Sequence, residues 1–412
     1  MENKVLIINP ASSGKMIRPI MQQAGIECDV FIDRDSDPKE LLNLDTPSLY
    51  DNEVTSLDIS EIKGKYDAVI AGSELGITLC DETAHKLNLA GNSPKTTNLR
   101  RNKFEMQKAL KDNSLSYIES FLISENCNGL NKINSLKTTN YIVKPIDSAG
   151  SEDVNFCQSK NELINKVSSL PWGMVNSTGQ INNEFIVQEF VTGDEYVIDF
   201  MVINSKPFVR SVCKYVKGGK DVGKFAYRRL LLLEPSLPEL SELLSYAKKA
   251  VNALDIKHGP VHMELLLNDI KGPVMIEAAT RLHGGVAPSI FAECYSPGLL
   301  ESLVATVKND NNHLKDSNLT KFGQIYFHVN KGECIYNGLT NKLESQIRAL
   351  DSVMDLLFTI QPGTTLNKTV DLFTCPVLVW LSNENKEALE SDIATLENLL
   401  NLVFETNFLE EV

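Results

Sequence analysis

Two apolar segments joined by a short polar turn strongly constrain the fold of this chain. Residues 259–268 (GPVHMELLLN) and 273–281 (PVMIEAATR) flank the turn 269–272 and predict a β-hairpin. Each segment carries one glutamate among apolar residues, Glu264 and Glu277. If the hairpin has no bulge, these two residues are direct cross-strand neighbours, with Cβ atoms about 4.5–5.5 Å apart.

Facing glutamates are typical of a cation site. Two negative charges at this distance repel each other, and a divalent cation between them removes the repulsion. Mg²⁺ is bound in proteins by one or two carboxylates together with substrate phosphates. The alternative is a pair of surface glutamates on opposite faces. The apolar neighbours of Glu264 and Glu277 favour the metal site.

The composition limits the class of protein. The chain has 412 residues, enough for two or three domains, with 42% hydrophobic and 23% charged residues, as in globular proteins with a core. A net charge of −14 argues against nucleic acid as a partner. We expect no membrane partner and a cytoplasmic location, because neither a long apolar stretch nor a secretory signal pattern occurs. Eight cysteines without a C-x-x-C pair indicate reduced thiols.

The pattern changes along the chain. Residues 1–98 alternate strand and helix signals, and the runs VLII and AVIAG are typical of a buried parallel sheet. From residue 141 the segments YIVKP, FIVQEF, EYVIDFMVIN and PFVRSVCKYV predict an antiparallel sheet with a short turn at Ser205. Helical spacing of apolar residues predicts helices at 239–254 and around 386–404. These patterns predict a fold that combines α/β and α+β parts.

The N-terminal segment KVLIINPASSGKMI is not a Walker loop. In that loop a Gly, four residues and Gly-Lys-Ser/Thr hold phosphates, but here Asn9 and Met16 occupy two of the required positions. The segment predicts a strand and a turn that opens a helix, whose N-terminus can hold an anion. We therefore expect the main nucleotide site elsewhere.

Two lysines and an acidic segment are candidates for that site. Lys144 ends a strand and precedes the small residues 148–151, whose backbone N–H groups can approach phosphate oxygens closely. Lys103 stands at a helix start. In QEFVTGDE, Gln188 and Glu189 end a strand and Glu195 follows a glycine turn, so that backbone groups can meet an adenine edge and a carboxylate can meet ribose hydroxyls. Each of these residues alone is also compatible with a solvated surface.

Together, in this order, the motifs resemble the ATP-grasp superfamily over residues 95–290. They are NKxxM, VKP with its small-residue loop, QEFVxGxE, HxE and IExxxR. The resemblance implies an N-terminal Rossmann-like α/β domain (1–98), an ATP-grasp domain with a two-sheet ATP-binding core (99–305) and a C-terminal α/β segment (306–412). It also implies ATP and Mg²⁺ or Mn²⁺ as cofactors.

The same resemblance assigns roles to residues. It implies that Lys103 and Lys144 hold ATP phosphates, that Glu195 meets the ribose, and that Glu264 and Glu277 carry the metal. The other implied ATP-binding residues are Ser148, Gly150 and Ser151 in the small-residue loop and Gln188, Glu189 and Val191 at the adenine. The superfamily commonly has Asn where this chain has Ala279, which leaves one metal site without a ligand or completed by water.

A narrower resemblance covers most of the chain and is weakest after residue 305. KHGPVHMELLL, GPVMIEAATRLHGG, NPASSGK and AGSELG look like ATP-grasp carboxylate–amine ligases, among them L-amino-acid ligases, dipeptide synthetases and carnosine synthase. This implies an ADP-forming ligase that joins a small-molecule carboxylate to an amine through an acyl phosphate. An amino acid is the expected substrate, and a homodimer is an open expectation.

Substrate roles follow from that resemblance. Arg281 is the candidate for stabilising the acyl phosphate and the oxyanion. Glu74 either holds a substrate ammonium or favours a helix N-terminus. His283 either contacts a carboxylate or packs. The remaining candidates are Ser12 and Ser13 in the N-terminal turn, Gly284 and Gly285 beside His283, and Arg228 in the basic loop 217–229, which is a lid or a solvated hairpin.

Other functions remain open from the sequence. A bicarbonate-using ATP-grasp carboxylase would keep the fold and change the reaction, and the short DSAGSED loop disfavours it. A nucleotide-responsive binding protein without turnover is supported by Ala279 and opposed by the set of lysines, glutamates and arginine. Zinc at His258 and His262 is disfavoured, because their spacing suits a helix and the sequence there is strand-like.

Overall fold

A computed structural model describes residues 3–34, 52–125, 129–148, 150, 152–219 and 222–405. The chain divides into two compact units. The first contains Met1–Arg210, Ser236–Pro288 and Leu299–Asp316, and the second contains Ser211–Pro235, Ser289–Gly298 and Ser317–Val412. Both units are discontinuous in sequence, whereas the three expected domains are continuous, and the domain boundaries stay a prediction.

The regular elements alternate along the chain. The strands are β1 (Lys4–Ile8), β2 (Glu27–Phe31), β3 (Ala68–Ala71), β4 (Ser120–Ser124), β5 (Tyr141–Pro145), β6 (Asn155–Cys157), β7 (Glu184–Glu189), β8 (Asp194–Ile203), β9 (Lys206–Lys217), β10 (Tyr227–Leu233), β11 (Gly259–Asn268), β12 (Gly272–Ala279), β13 (Tyr295–Ser296), β14 (Asn318–Leu319), β15 (Phe322–Phe327), β16 (Cys334–Ile335), β17 (Val353–Phe358), β18 (Thr365–Leu366) and β19 (Val377–Asn383). The helices are α1 (Ile17–Gln23), α2 (Ile59–Ile62), α3 (Ile77–Leu87), α4 (Lys103–Asp112), α5 (Lys160–Val167), α6 (Ser241–Ala253), α7 (Ala287–Cys294), α8 (Leu299–Val307), α9 (Asn341–Arg348) and α10 (Lys386–Glu405).

The N-terminal part of the first unit is a parallel sheet of order β2-β1-β3, as expected for short, fully apolar strands. The NPASSGK segment leaves β1 and forms a 3₁₀ turn over Ser12–Met16 before α1 begins. This turn packs tightly on the end of β3: a Cβ atom at Gly14 would lie 1.9 Å from the carbonyl oxygen of Gly72. Gly14 is therefore a packing residue.

The central part of the first unit contains two antiparallel sheets. One has the order β4-β7-β5-β6, and the other contains β12-β11-β8-β9. The expectation that the four aromatic and β-branched segments form an antiparallel sheet is correct in type but incomplete, because YIVKP and FIVQEF lie in the first sheet and the other two lie in the second. The tight turn between β8 and β9 is confirmed, with Asn204 and Ser205 at φ 50° and 63°.

The hairpin β11–β12 brings the two glutamates together. Glu264 and Glu277 are register partners, as expected. The assumption that the hairpin has no bulge is wrong: Leu265 pairs with Met275, so Ile276 is an extra residue on β12. The turn between the paired residues Asn268 and Gly272 thus has three residues, which shifts the register of β12 by one. The extra residue Ile276 shifts it back, so that Glu264 and Glu277 still face each other.

The second unit contains a sheet with the order β9-β10-β15-β19-β17, in which β9 contributes its residues from Ser211 onward. Its core forms where the buried face of β19 meets the amphipathic helix α10. This helix confirms the expectation for residues 386–404. Among the helices of the described ranges, none is long and apolar enough to cross a bilayer.

Candidate active site

Two lysines from different elements lie beside the facing glutamates. The side chain of Asn102 accepts hydrogen bonds from the N–H groups of Phe104 and Glu105 and so caps α4, which places Lys103 at the first helical position. The Lys103 ammonium lies 2.9 Å from Glu277 Oε2 and donates to the Ser148 carbonyl at 2.8 Å. Burial alone would lower the pKa of Lys103, but Glu277 and nearby carboxylates raise it.

Lys144 is the second lysine, and its environment differs from that of Lys103. It lies on β5 and is 6% exposed. Burial first, and then repulsion from Lys103, lower the pKa of Lys144 from 10.5 to about 8, against the attraction of Glu277, Glu264 and Glu195. Within the described ranges no hydrogen bond or ion pair of its ammonium is found. Lys144 is therefore a buried cation that an anionic ligand would compensate.

The small-residue loop after β5 is fastened by a second loop at 176–178. Glu152 accepts the Ser148 hydroxyl and the N–H of Ser177, the latter at 2.9 Å. Asn176 donates to the Asp147 carbonyl at 2.6 Å. Gly150 has a φ of +66°, and Ser151 lies outside the described residues. The support from the loop at 176–178 has no motif in the sequence and was not expected.

The expected adenine side lies at the end of β7. The Glu189 carboxylate pairs with Lys271 and accepts the Glu119 N–H at 2.8 Å, while the Gln188 side chain donates to Ser120 at 3.1 Å. Both side chains thus have protein partners, and the N–H of Glu189 also donates to the Glu119 carbonyl at 3.0 Å.

An apolar surface and an acidic residue adjoin this segment. Val191 packs with Ile118 and Val274 in a small apolar cluster. Glu195 lies on β8 opposite Leu266 and is close enough to Lys144 to raise its pKa.

Arg281 belongs to a chain of ion pairs. Its Nε atom lies 2.8 Å from Glu74 Oε2, and the other oxygen of Glu74 pairs with Arg101. Arg101 also pairs with Asp147, which precedes the small-residue loop. Burial alone would lower the pKa of Arg281, but Glu74, Glu277 and Glu264 raise it. Glu74 therefore already holds two guanidinium groups, and a substrate ammonium would be a third cation beside it.

His283 contacts a buried carboxylate. Asp199 on β8 is fully buried and accepts hydrogen bonds from His283 Nδ1 at 3.0 Å and from His262 Nδ1 at 3.1 Å. The Nε2 atom of His262 lies 3.5 Å from Glu264 Oε1. Within the described residues, Asp199, His262 and His283 are also the group whose ligand atoms lie close enough together to hold a metal ion.

The N-terminal turn meets the segment after Arg281. The N–H of Gly285 donates to the Ser12 hydroxyl at 2.9 Å, and a Cβ atom at Gly284 would lie 3.9 Å from the same oxygen. Ser12 is exposed and Ser13 is buried. The structure therefore brings together Ser12, Gly284 and Gly285, which the sequence placed at opposite ends of the unit.

Arg228 lies on β10 in the second unit. Its Nη2 atom is 3.9 Å from Glu397 Oε1 on α10. Its assignment to a substrate stays a prediction, as do the roles of the other candidate residues.

Comparison with known proteins identifies the fold. Residues 137–289 match the model of the ATP-grasp domain. This part of the chain is similar to ATP-grasp domains. It includes the lysine on β5, the facing glutamates, Arg281 and His283.

Similar proteins extend the likeness to almost the whole chain. Dapdiamide A synthase of Enterobacter agglomerans is 23% identical over 96% of this chain and 95% of its own length. The crystal structure of an L-amino acid ligase from Bacillus licheniformis superposes with a TM-score of 0.73, at 18% identity, over 96% of this chain and 97% of that one. A carboxyaminoimidazole ribonucleotide synthase from Aspergillus clavatus, complexed with ATP, has a TM-score of 0.71 at 13% identity, over 98% and 99% of the two chains. The expected ATP-grasp fold is confirmed.

Several charged residues in the ion pairs around the candidate residues were missed in the sequence. Arg101 and Asp199 each pair with two charged or histidine side chains. The other two residues are Asp147 and Lys271. Arg101 directly precedes the NKxxM motif, and Asp199 is an acidic residue inside the apolar run YVIDFMV. A charged residue in a strand buried on both sides is a signal for a partner, which could have singled out Asp199.

Proposed function

We propose that this protein is an ATP-dependent, ADP-forming carboxylate–amine ligase that uses an amino acid as one substrate. The observation that carries the proposal is the buried ammonium of Lys144, which lies near Lys103 and the facing glutamates. An ammonium held in the protein interior without an ion-pair partner is costly unless a ligand compensates it. Phosphate oxygens are such a ligand.

The donor set fits a divalent cation. Glu264 and Glu277 offer carboxylate oxygens from adjacent strands, as Mg²⁺ or Mn²⁺ requires, whereas Ala279 offers none. A bound cation would withdraw charge from the phosphates. Lys103, now paired with Glu277, would turn to the phosphates, and Lys144 would neutralise them from the other side.

The reaction requires activation of the acid. A carboxylate oxygen is a poor leaving group, so the acid first takes the γ-phosphoryl group of ATP and ADP is released. The amine then attacks the carbonyl carbon, phosphate leaves with the electron pair of the C–O bond, and the nitrogen loses a proton. Arg281, held by Glu74 in a fixed orientation, would stabilise the oxyanion that develops in this step.

The relatives support this reaction class. One relative is named as an L-amino acid ligase and the other as dapdiamide A synthase, and both match along almost the whole chain. We further propose small-molecule carboxylate and amine partners and no nucleic acid, which the net charge of −14 supports. A cytoplasmic location and a homodimer stay predictions.

The test is phosphate release from ATP across a matrix of amino acids and amines, with products identified by mass spectrometry. We expect ADP, phosphate and an amide, and we expect release to need both an acid and an amine. Formation of AMP and pyrophosphate would contradict the proposal. Turnover with bicarbonate and one amine would instead identify a carboxylase, the alternative for which the carboxyaminoimidazole ribonucleotide synthase is the structural neighbour.

A further inference from the structure

We infer that Asp199 is a positioning residue that fixes both the metal-ligand candidate Glu264 and the segment that carries Arg281. The inference rests on the proposed function. It concerns a residue that lies in the middle of β8 and is fully buried beneath the site.

One arm of this arrangement runs along the sheet. Asp199 and His262 are register partners on the neighbouring strands β8 and β11, and Glu264 lies two residues beyond His262 on the same face. Asp199 Oδ1 accepts from His262 Nδ1, and His262 Nε2 lies 3.5 Å from Glu264 Oε1. The imidazole is thus held at one nitrogen and faces the glutamate with the other.

The second arm reaches the segment after β12. The other oxygen of Asp199 accepts from His283 Nδ1, and His283 is two residues beyond Arg281. The segment continues to Gly285, which is hydrogen-bonded to Ser12. Arg281 is therefore flanked by an anchor at His283, while Glu74 holds its guanidinium group.

The hydrogen bonds favour a network of protein groups over a metal site at these three residues. Both Nδ1 atoms already donate to a carboxylate oxygen each, so both histidines carry the proton that a metal ion would have to displace. Each carboxylate oxygen of Asp199 thus has an imidazole N–H as its partner without an ion.

The experiment compares Asp199→Asn with Asp29→Asn as a matched control. Asn keeps the volume of Asp199 but removes its charge and one of its two acceptors. Asp29 is a partly buried aspartate on β2 that pairs with Lys4 and Tyr66, away from every residue assigned to the site. Mn²⁺ binding in the presence of ADP is measured by electron paramagnetic resonance, and kcat and KM are measured in the amide-forming assay.

We expect Asp199→Asn to weaken Mn²⁺ binding and lower kcat by about 10–100-fold each, as loss of a partner behind a metal ligand does. Asp29→Asn should stay within about twofold of the parent in both. His262→Ala should weaken Mn²⁺ binding, whereas His283→Ala should lower kcat and leave Mn²⁺ binding near the parent value. His283→Asn should recover part of the kcat, because its amide can donate to Asp199.

Several results would overturn the inference. One is equal Mn²⁺ affinity in the parent and Asp199→Asn, and a second is stoichiometric zinc in the purified parent. If Asp199→Asn does not fold, His262→Ala and His283→Ala test the inference instead. Equal effects of these two variants on Mn²⁺ affinity and on kcat would contradict separate roles for His262 and His283. Mn²⁺ binding needs no turnover, so failure of the amide-forming assay alone counts against the proposed function and not against this inference.

Discussion

At the scale of a single residue, the buried ammonium of Lys144 lowers the stability of the ligand-free protein. Its pKa falls from 10.5 to about 8 because burial disfavours the ammonium. A shift of this size corresponds to about 3 kcal/mol in the free energy of unfolding. Lys144→Met should therefore stabilise the ligand-free protein by up to that amount at pH 7 and should abolish tight ATP binding.

The destabilisation by Lys144 should depend on pH in a defined direction. The unfolded chain holds the Lys144 proton more tightly than the folded chain, so the penalty is complete below pH 8, where both states are protonated. It declines between pH 8 and 10.5 as the folded state loses its proton. The stability difference between Lys144→Met and the parent, measured by urea unfolding, should thus shrink from pH 7 to pH 10.

Lys103→Met is the matched control. Lys103 is equally buried in the site but is paired with Glu277, and its pKa is raised. Its removal leaves a partly buried carboxylate without its cation, so this variant should be less stable than the parent at pH 7 although it also loses ATP affinity. Two methionine variants that change stability in the same direction would contradict the assigned environments.

At this scale the sequence predicts the positions of residues in local motifs, and the structure confirms that Glu264 and Glu277 are register partners. The facing glutamates and both lysines were predicted, because a strand pattern and a helix start determine where they lie. Arg101 and Asp199 were not, because their partners, Glu74 and His283, are distant in sequence and come close only through the tertiary fold. A local pattern can mark a residue such as Asp199 as needing a partner, but it does not identify that partner.

At the scale of elements, hairpins were predictable and sheet membership was not. A hairpin depends on two adjacent segments and the turn between them, as in β11–β12 and β8–β9. The assignment of β5 and β7 to a sheet of their own depends on pairing with β4, across intervening residues. The bulge at Ile276 also escaped prediction, since the alternation of apolar residues does not reveal one extra residue.

The N-terminal turn yields a prediction at this scale. Its contact with the segment 283–285 depends on close packing at Gly14, where an added Cβ would lie 1.9 Å from the Gly72 carbonyl oxygen. Gly14→Ala must therefore displace the turn and Ser12 with it. We expect a loss of a few kcal/mol in unfolding free energy, as for other overpacked positions, and a raised KM for the amino-acid substrate.

The control is Gly64→Ala. Gly64 has a φ of +76° and no atom within 4 Å of an added Cβ, so this change costs only the backbone strain, about 1–2 kcal/mol. Its KM should remain that of the parent. ATP affinity, measured by calorimetry, should be unchanged in both variants, and a loss of ATP affinity in Gly14→Ala would place the turn at the nucleotide after all.

For the whole molecule, the proposed function predicts that the response of stability to ligands depends on the ion pair between Lys103 and Glu277. In the ligand-free protein Lys103 neutralises Glu277 at 2.9 Å. A divalent cation alone must displace Lys103 from that carboxylate, and ATP alone must draw Lys103 away and leave Glu277 unpaired. When both ligands bind, each of the two side chains exchanges its partner for a new one of opposite charge.

The two ligands should therefore stabilise the molecule cooperatively. A ligand that binds only the folded chain adds about 2.7 kcal/mol to the unfolding free energy at a hundred times its dissociation constant. In thermal unfolding with Mg²⁺ alone, with a non-hydrolysable ATP analogue alone and with both, we expect the combined rise in Tm to exceed the sum of the separate rises. In Glu277→Gln, Lys103 has no ion pair to break, so the ATP analogue alone should raise Tm more than it does in the parent. The cation also lacks a carboxylate ligand in this variant, so adding Mg²⁺ should raise Tm little further. Additive shifts in the parent, or an unchanged pattern in Glu277→Gln, would show that the exchange of partners at Lys103 and Glu277 does not govern ligand binding.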